Sequence, residues 1–165
     1  MTVFYSVMKE GKYYVYEISA DDFSGSKIYD MSRCTDLDKA SCYAFAETYS
    51  EFYYGVGHNL YVAILNTDTP SEHVAYDQFG TDEVVTHILM HKGAGATTWG
   101  EKPDGSPLWR KSENNLLSVT TYNEKTKEGK VYTLPIQYGG DGRIAEKGYV
   151  CVYDKFGQIT AIATK

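Results

Sequence analysis

Thr35-Asp-Leu-Asp-Lys-Ala-Ser-Cys-Tyr-Ala-Phe-Ala-Glu-Thr-Tyr-Ser-Glu-Phe-Tyr-Tyr-Gly-Val-Gly57 is the stretch on which the fold class turns. Thr35 or Asp36 can cap a helix here, and Asp38 stands three residues past Thr35, as in a capping box. Asp36 and Asp38 would then lie near the positive end of the helix dipole. Leu37, Phe45, Tyr49 and Phe52 recur at helical spacing, and Ala40, Ala44 and Ala46 allow close approach. Gly55 and Gly57 supply the stop. The spacing predicts a helix running from this cap to the glycines.

On the N-terminal side, Thr2 to Met8 is rich in Val, Phe and Tyr and reads as a strand. Lys9-Glu10-Gly11-Lys12 is a turn and Tyr13 to Ile18 a second strand, so the pair predicts a hairpin. Both strands are apolar at consecutive positions, which implies cover on both faces or a second face held by tyrosines. Ala20 to Ser26 is a polar loop. On the C-terminal side, Leu60 to Leu65 is a strand, followed by a loop from Asn66 to Ser71 with Pro70. Thr81 to His91 predicts a second, shorter helix: Thr81 caps it, Val84, Val85, Ile88 and Leu89 form the stripe, and Gly93 and Gly95 stop it. Residues 93–115 are polar and irregular, and a loop of that length in a compact domain is often functional. Leu116 to Tyr122 with Lys130 to Tyr138, and Gly148 to Tyr153 with Gln158 to Ala163, read as two hairpins. Pro135 lacks a ladder donor, which predicts an edge strand or a bulge there. The order β-β-α-β-α-β-β-β-β predicts an α+β fold: one mainly antiparallel sheet with two helices packed on one face.

The 165 residues predict a single domain over 1–165, long enough to bury a core without staples. A net charge of −6 argues against generic binding to phosphate backbones. The charge is uneven: −4 over residues 1–60 (nine acids, five bases), −4 over 61–110 (seven and three) and +2 over 111–165 (six and eight). Cys34, Cys42 and Cys151 are odd in number and irregularly spaced, so they do not form a disulfide framework. Met1 to Tyr5 lacks the basic start of a signal peptide, and no apolar run approaches the ~20 residues that span a bilayer. A cytoplasmic setting with no membrane partner is the expectation, and nucleic acid is not favoured.

His87 and His91 would share one face of the second helix, the spacing of a zinc pair. No Glu follows His87, and Cys34, Cys42, His58 and His73 join them only through the fold, so no metal and no cofactor are expected. Gln137-Tyr-Gly-Gly-Asp-Gly142 superficially fits the loop that grips the pyrophosphate of acetyl-CoA. Such a loop needs a helix behind it, and a hairpin follows here, so it reads as a turn. Gly-x-Ser-x-Gly does not occur, and Cys34 has no sequence cue for a base partner.

Sixteen tyrosines are the most unusual feature. Tyrosine pairs a large apolar body with a polar tip and is enriched at recognition surfaces, though it also suits half-buried strand positions. Tyr14, Tyr16 and Tyr54 are the tyrosines expected at a binding face. Trp99, flanked by Gly95 and Gly100, is expected as an exposed anchor, and Trp109, between Leu108 and Arg110, as a packed residue.

Lys27-Ile-Tyr-Asp-Met31, Thr35-Asp-Leu-Asp-Lys-Ala40, Tyr43-Ala44 and Leu60-Tyr-Val-Ala-Ile-Leu65 together resemble the early part of some ADP-ribosyltransferase-like domains. There a short strand leads to an alanine-bearing helix and a further strand. The resemblance implies a small enzyme handling a nucleotide or NAD, and it carries no catalytic residue across. The leading expectation is instead a non-enzymatic binding protein, of inhibitor or immunity type, meeting a macromolecule or small ligand through an aromatic, acidic surface and the 93–115 segment. The small nucleotide- or NAD-handling enzyme is the alternative.

Overall fold

The computed structural model describes the backbone of residues 2–23, 25, 27–46, 51–91, 98–101, 103–104, 107–109, 116–136, 149–156 and 158–164. For residues 2, 46, 91, 98–101, 107–109, 149–150 and 159–164 it describes the backbone alone. Strands β1 (Thr2–Lys9), β2 (Lys12–Ser19) and β3 (Lys27–Asp30) form the first sheet, in that order. Strands β4 (Cys42–Ala46), β5 (Glu51–Val56), β6 (Asn59–Ile64) and β7 (Glu72–Tyr76) form the second, also in chain order. The third contains β8 (Glu83–His91), β11 (Leu116–Asn123), β12 (Glu128–Pro135), β13 (Tyr149–Tyr153) and β14 (Ile159–Thr164), ordered β14-β13-β12-β11-β8. A two-stranded ribbon, β9 (Thr98–Glu101) with β10 (Pro107–Trp109), lies in the chain between β8 and β11. All pairings are antiparallel.

This overturns the expected α+β architecture. The helical segment among the described residues is a single 3-10 turn, Leu37–Lys39, and both predicted helices are replaced by strands. The expected cap does not form, and the segment makes only a short turn. Asp36 takes the N-cap position without a side-chain cap bond, and Thr35 bonds to Glu72 on β7 instead.

Beyond the turn, the aromatic and β-branched content wins. Residues 42–46 form β4 and 51–56 form β5, paired from Cys42↔Gly55 to Ala46↔Glu51. Glu51, Phe52, Tyr53, Tyr54 and Gly55 are all buried, so β5 is covered on both faces. Such a strand reads as a continuous apolar run, which a helical template matches as well as a strand template does. At Gly57, φ is +57°, the left-handed conformation that a two-residue hairpin turn between Val56 and Asn59 requires at its first position.

In β8 a bulge produced the false helical stripe. The ladder to β11 pairs Thr120 with His87 but Thr121 with Val85, which leaves Thr86 unpaired. The inward positions therefore run Val85, Ile88, Met90, and the step of three at the bulge mimics a helical period. Val84 and Leu89, the other half of the expected stripe, are exposed.

The three sheets stack with β4–β7 in the middle. One face of this sheet contributes Tyr53, Leu60, Val62 and Ala75 to a core shared with Val85, Leu117, Val119, Tyr132 and Leu134 of the third sheet. The other face contributes Phe52, Tyr54, Ala63 and the adjoining Leu65 to a core shared with Val15 and Tyr29 of the first sheet, plus Met31, Cys34 and Leu37. Rings bridge the first and middle layers: Phe4 stacks on Phe45 at 5.3 Å, and Phe45 on Phe52 at 4.7 Å. On the third sheet, Val85 N–H donates to the Gly57 carbonyl and Ser41 Oγ to the Val85 carbonyl, closing the β4 side against β8. Gly55 permits this approach, because a Cβ there would stand 2.4 Å from Val85 Cγ1.

β12, which carries Pro135, lies between β11 and β13 and not at a sheet edge, and its described pairing with β11 has no bulge. Pro135 ends β12 opposite Leu116, and among the described residues the β12–β13 pairs stop two residues before it, at Thr133↔Tyr149. No helix among the described residues is long and apolar enough to cross a membrane.

Candidate interaction surface

The β1–β2 turn fixes which side chains face outward. Glu10 and Gly11 have φ of +52° and +74°, the double left-handed conformation of a type I′ hairpin. The register that follows pairs Val3 with Ile18, Tyr5 with Tyr16 and Val7 with Tyr14 on one face. β3 adds Ile28 opposite Tyr16 on that same face, with Asp30 opposite Tyr14. The opposite face carries Phe4, Tyr13, Val15 and Tyr29 into the core. Seven apolar or aromatic side chains thus share the outer face, with Lys9 and Lys12 at one end. Tyr5 and Tyr16 stack at 5.0 Å and 13° between planes. Val3, Tyr5 and Ile28 remain 39%, 40% and 46% exposed. Contiguous apolar surface of this kind marks contact sites, whereas isolated exposed apolar residues need no explanation.

Of the residues expected to bind, the structure brings Tyr14 and Tyr16 together on this face. It places Tyr54 elsewhere: fully buried, its hydroxyl donates to a Glu72 carboxylate oxygen. Burial, then the Glu72 carboxylate, pushes the Tyr54 hydroxyl far above the usual tyrosine range. Tyr54 is a core residue, since the same carboxylate also accepts from Thr35 N–H and Oγ1 and anchors the 3-10 turn. The backbone of Trp99 lies in β9 and that of Trp109 in β10, where Trp109 pairs with Thr98. Part of the expected irregular loop is therefore a ribbon, and the side chains of both tryptophans lie outside the described set. Gln137 to Gly142 also lies outside the described residues.

Val3, Tyr5 and Ile28 were missed. Their signal was available: once Glu10-Gly11 is read as the turn, Val3-Tyr5-Val7 falls opposite Tyr14-Tyr16-Ile18 by alternation.

A small cleft opens beside this sheet, lined by Ser6, Tyr13, Tyr14, Leu37, Tyr43 and Phe52, with a volume of about 60 Å³. Ligand pockets run to roughly 300–1,000 Å³, so this cleft takes a few waters or one side chain and not a nucleotide.

Glu51 and Glu83 are the buried carboxylates among the described residues, and the donors around Glu83 define what it can do. Its Oε2 accepts from Thr121 Oγ1 at 2.8 Å and Tyr132 OH at 2.6 Å, and its Oε1 accepts from Lys130 Nζ. Burial alone would raise its pKa, but these bonds and the Lys130 charge outweigh it and hold the carboxyl below its ordinary value. A carboxylate so supplied with donors is a structural pin and a poor general base. Tyr29 OH likewise donates to Glu17 Oε2 at 2.5 Å, with Lys27 Nζ 4.8 Å from the Tyr29 ring.

His87 and His91 are four apart on a strand, which separates their Cα atoms by roughly 13 Å. The helical spacing that suggested a shared ion is therefore absent, and no cluster of three metal-ligating side chains occurs among the described residues. No family model matches the chain, and comparison with curated proteins and with solved structures gives no match. The ADP-ribosyltransferase resemblance required an alanine-bearing helix between strands. Ala44 lies instead in β4, and Ala40 closes the 3-10 turn.

Proposed function

We propose that the chain is a non-enzymatic binding protein that meets a macromolecular partner through the outer face of its first sheet. The observation that carries this is the stacked Tyr5–Tyr16 pair set among Val3, Ile18 and Ile28 on one exposed face. A flat sheet face suits a macromolecule, because small-molecule sites are concave. Tyrosine supplies contact area at low entropic cost, and paired aromatic rings at the centre of a patch are the usual energetic anchors. The acidic balance of residues 1–110 adds a preference for a partner with basic flanks.

The test is a Tyr5→Ser/Tyr16→Ser double variant beside a photo-crosslinking residue introduced at Ile28. The double variant should melt within a few degrees of the parent. The crosslinker should capture one discrete partner in cells of the source organism, and the double variant should lose it. Capture that survives the double substitution, or a collapse of the fold on making it, refutes the surface.

A further inference from the structure

We infer that the chain forms a two-fold dimer by pairing the free edge of β1 with β1 of a second copy. Four observations converge on this edge. β1 is the outermost strand of its sheet, and among the described residues its one partner is β2. That pairing runs through eight consecutive Cα pairs without a bulge. Residues 2–8, Thr-Val-Phe-Tyr-Ser-Val-Met, hold no charge, no proline and no glycine. Large apolar side chains flank the edge on both sides: Val3 and Tyr5 on the outer face, and Met8 and the nearby Tyr43, 59% and 53% exposed, on the other.

Folded proteins blunt such an edge with charge, proline, a bulge or a covering element. The other edges near β1 show these devices. β3 is short, carries Lys27 and Asp30 at its ends, and gives the Asp30 N–H to the Asp68 carbonyl. β4 and β8 close on each other through Ser41 and Val85. Among the described residues, β1 carries only Lys9 at its end, and residues 2–8 have no such device, so we look for their protection in what docks there.

The pattern of the strand selects a second copy. Antiparallel pairing of one strand with itself is two-fold by construction and closes on itself. Outer side chains stay on one face only in registers that oppose residues of the same parity. The two such registers centred on the strand set Tyr5 against its own mate, or Ser6 against its own mate. In both, the two Lys9 residues lie roughly 20–26 Å apart, beyond the ~8 Å screening length. Parallel pairing would place them side by side.

The dimer has a consequence for the reading above, on which this one point rests. Three strands of up to eight residues give a face of at most roughly 370 Å², about half the ~800 Å² that a standard interface covers on each partner. Two faces joined at β1 form a six-stranded platform of about the required size.

Analytical ultracentrifugation of the purified chain across the micromolar range should show a species of twice 18.5 kDa. Tyr5→Lys should convert it to a monomer with an unchanged far-ultraviolet spectrum. Mild oxidation of Tyr5→Cys or of Ser6→Cys should give a disulfide-linked dimer from one of the two, because opposed Cβ atoms stand ~4.5–5.5 Å apart. A monomer at all concentrations overturns the inference. So does a dimer in which neither cysteine links, a Tyr5→Lys dimer, or a monomer whose β1 amides exchange slowly because its own chain covers them. Since the dimer is measured without any partner, its failure leaves the outer-face reading standing, and loss of partner capture leaves the dimer standing.

Discussion

Replacing Lys130 with methionine tests whether Glu83 is the pin of the third sheet. Lys130 and Glu83 lie on β12 and β8, with β11 between them, so the pair spans three strands. Glu83 is 4% exposed and keeps only the Thr121 and Tyr132 hydroxyls once the cation is gone. Stranding a buried charge costs about 3–5 kcal/mol. The Lys130 side chain is 30% exposed, so water partly replaces it, and a loss of about 2–3 kcal/mol is expected. For a chain of this length that is a fall in Tm of roughly 4–12 °C. The pH dependence gives an independent check. In the parent the Glu83 pKa is lowered, so its contribution is complete above the ordinary value of 4.5 and is lost as pH falls through the folded value. In Lys130→Met burial dominates and the pKa rises, so acid neutralises the stranded carboxylate. The Tm gap between the two proteins should be widest near neutrality and close towards pH ~4. Thermal melts followed by circular dichroism across that range decide it. A gap that stays constant with pH, or a loss under ~1 kcal/mol at neutrality, refutes the role given to Glu83.

Gly55→Ala should destabilise by about 1–3 kcal/mol through overpacking against Val85, and Val85→Ala in the same chain should recover part of that loss in urea titrations. Phe45→Ala should cost about 2–4 kcal/mol by removing the ring stacked between Phe4 and Phe52, a value that chemical denaturation measures. Burial raises the Cys34 thiol to about 11, so at pH ~8 it should resist iodoacetamide in the native protein and react only in denaturant, as read by mass spectrometry. Tyr54→Phe should cost about 1–3 kcal/mol by withdrawing a donor from Glu72, without affecting partner capture through the outer face.

Local strand signals were legible where alternation and turn chemistry agree. The first hairpin, the strand at Leu60 and the last two hairpins lie within a few residues of their expected places. Misreadings arose where tertiary burial erases alternation. β5 is covered on both faces, so nothing in Glu51-Phe-Tyr-Tyr-Gly55 marks one side as wet. β8 alternates correctly, but its bulge at Thr86 shifts the phase by one residue, and no local composition announces that shift. The same errors hid the site. With β1–β3 taken as part of one sheet under two helices, Tyr54 looked as available as Tyr16. Only the stacking of three sheets separates a ring sealed between layers from one on the outside.

The doubly covered middle sheet makes the two cores interdependent. Peeling away β1–β3 would wet Phe52, Tyr54 and Ala63, and removing the third sheet would wet Tyr53, Leu60 and Val62 on the reverse side of the same backbone. Neither terminal sheet can therefore be trimmed to leave a smaller, self-sufficient fold. Deletions from either side should lead to aggregation-prone fragments, although each sheet is assembled mostly from neighbouring strands and its hairpins need only short-range encounters. The chain should thus collapse locally and early, yet acquire its resistance to proteases only at the moment all three layers close.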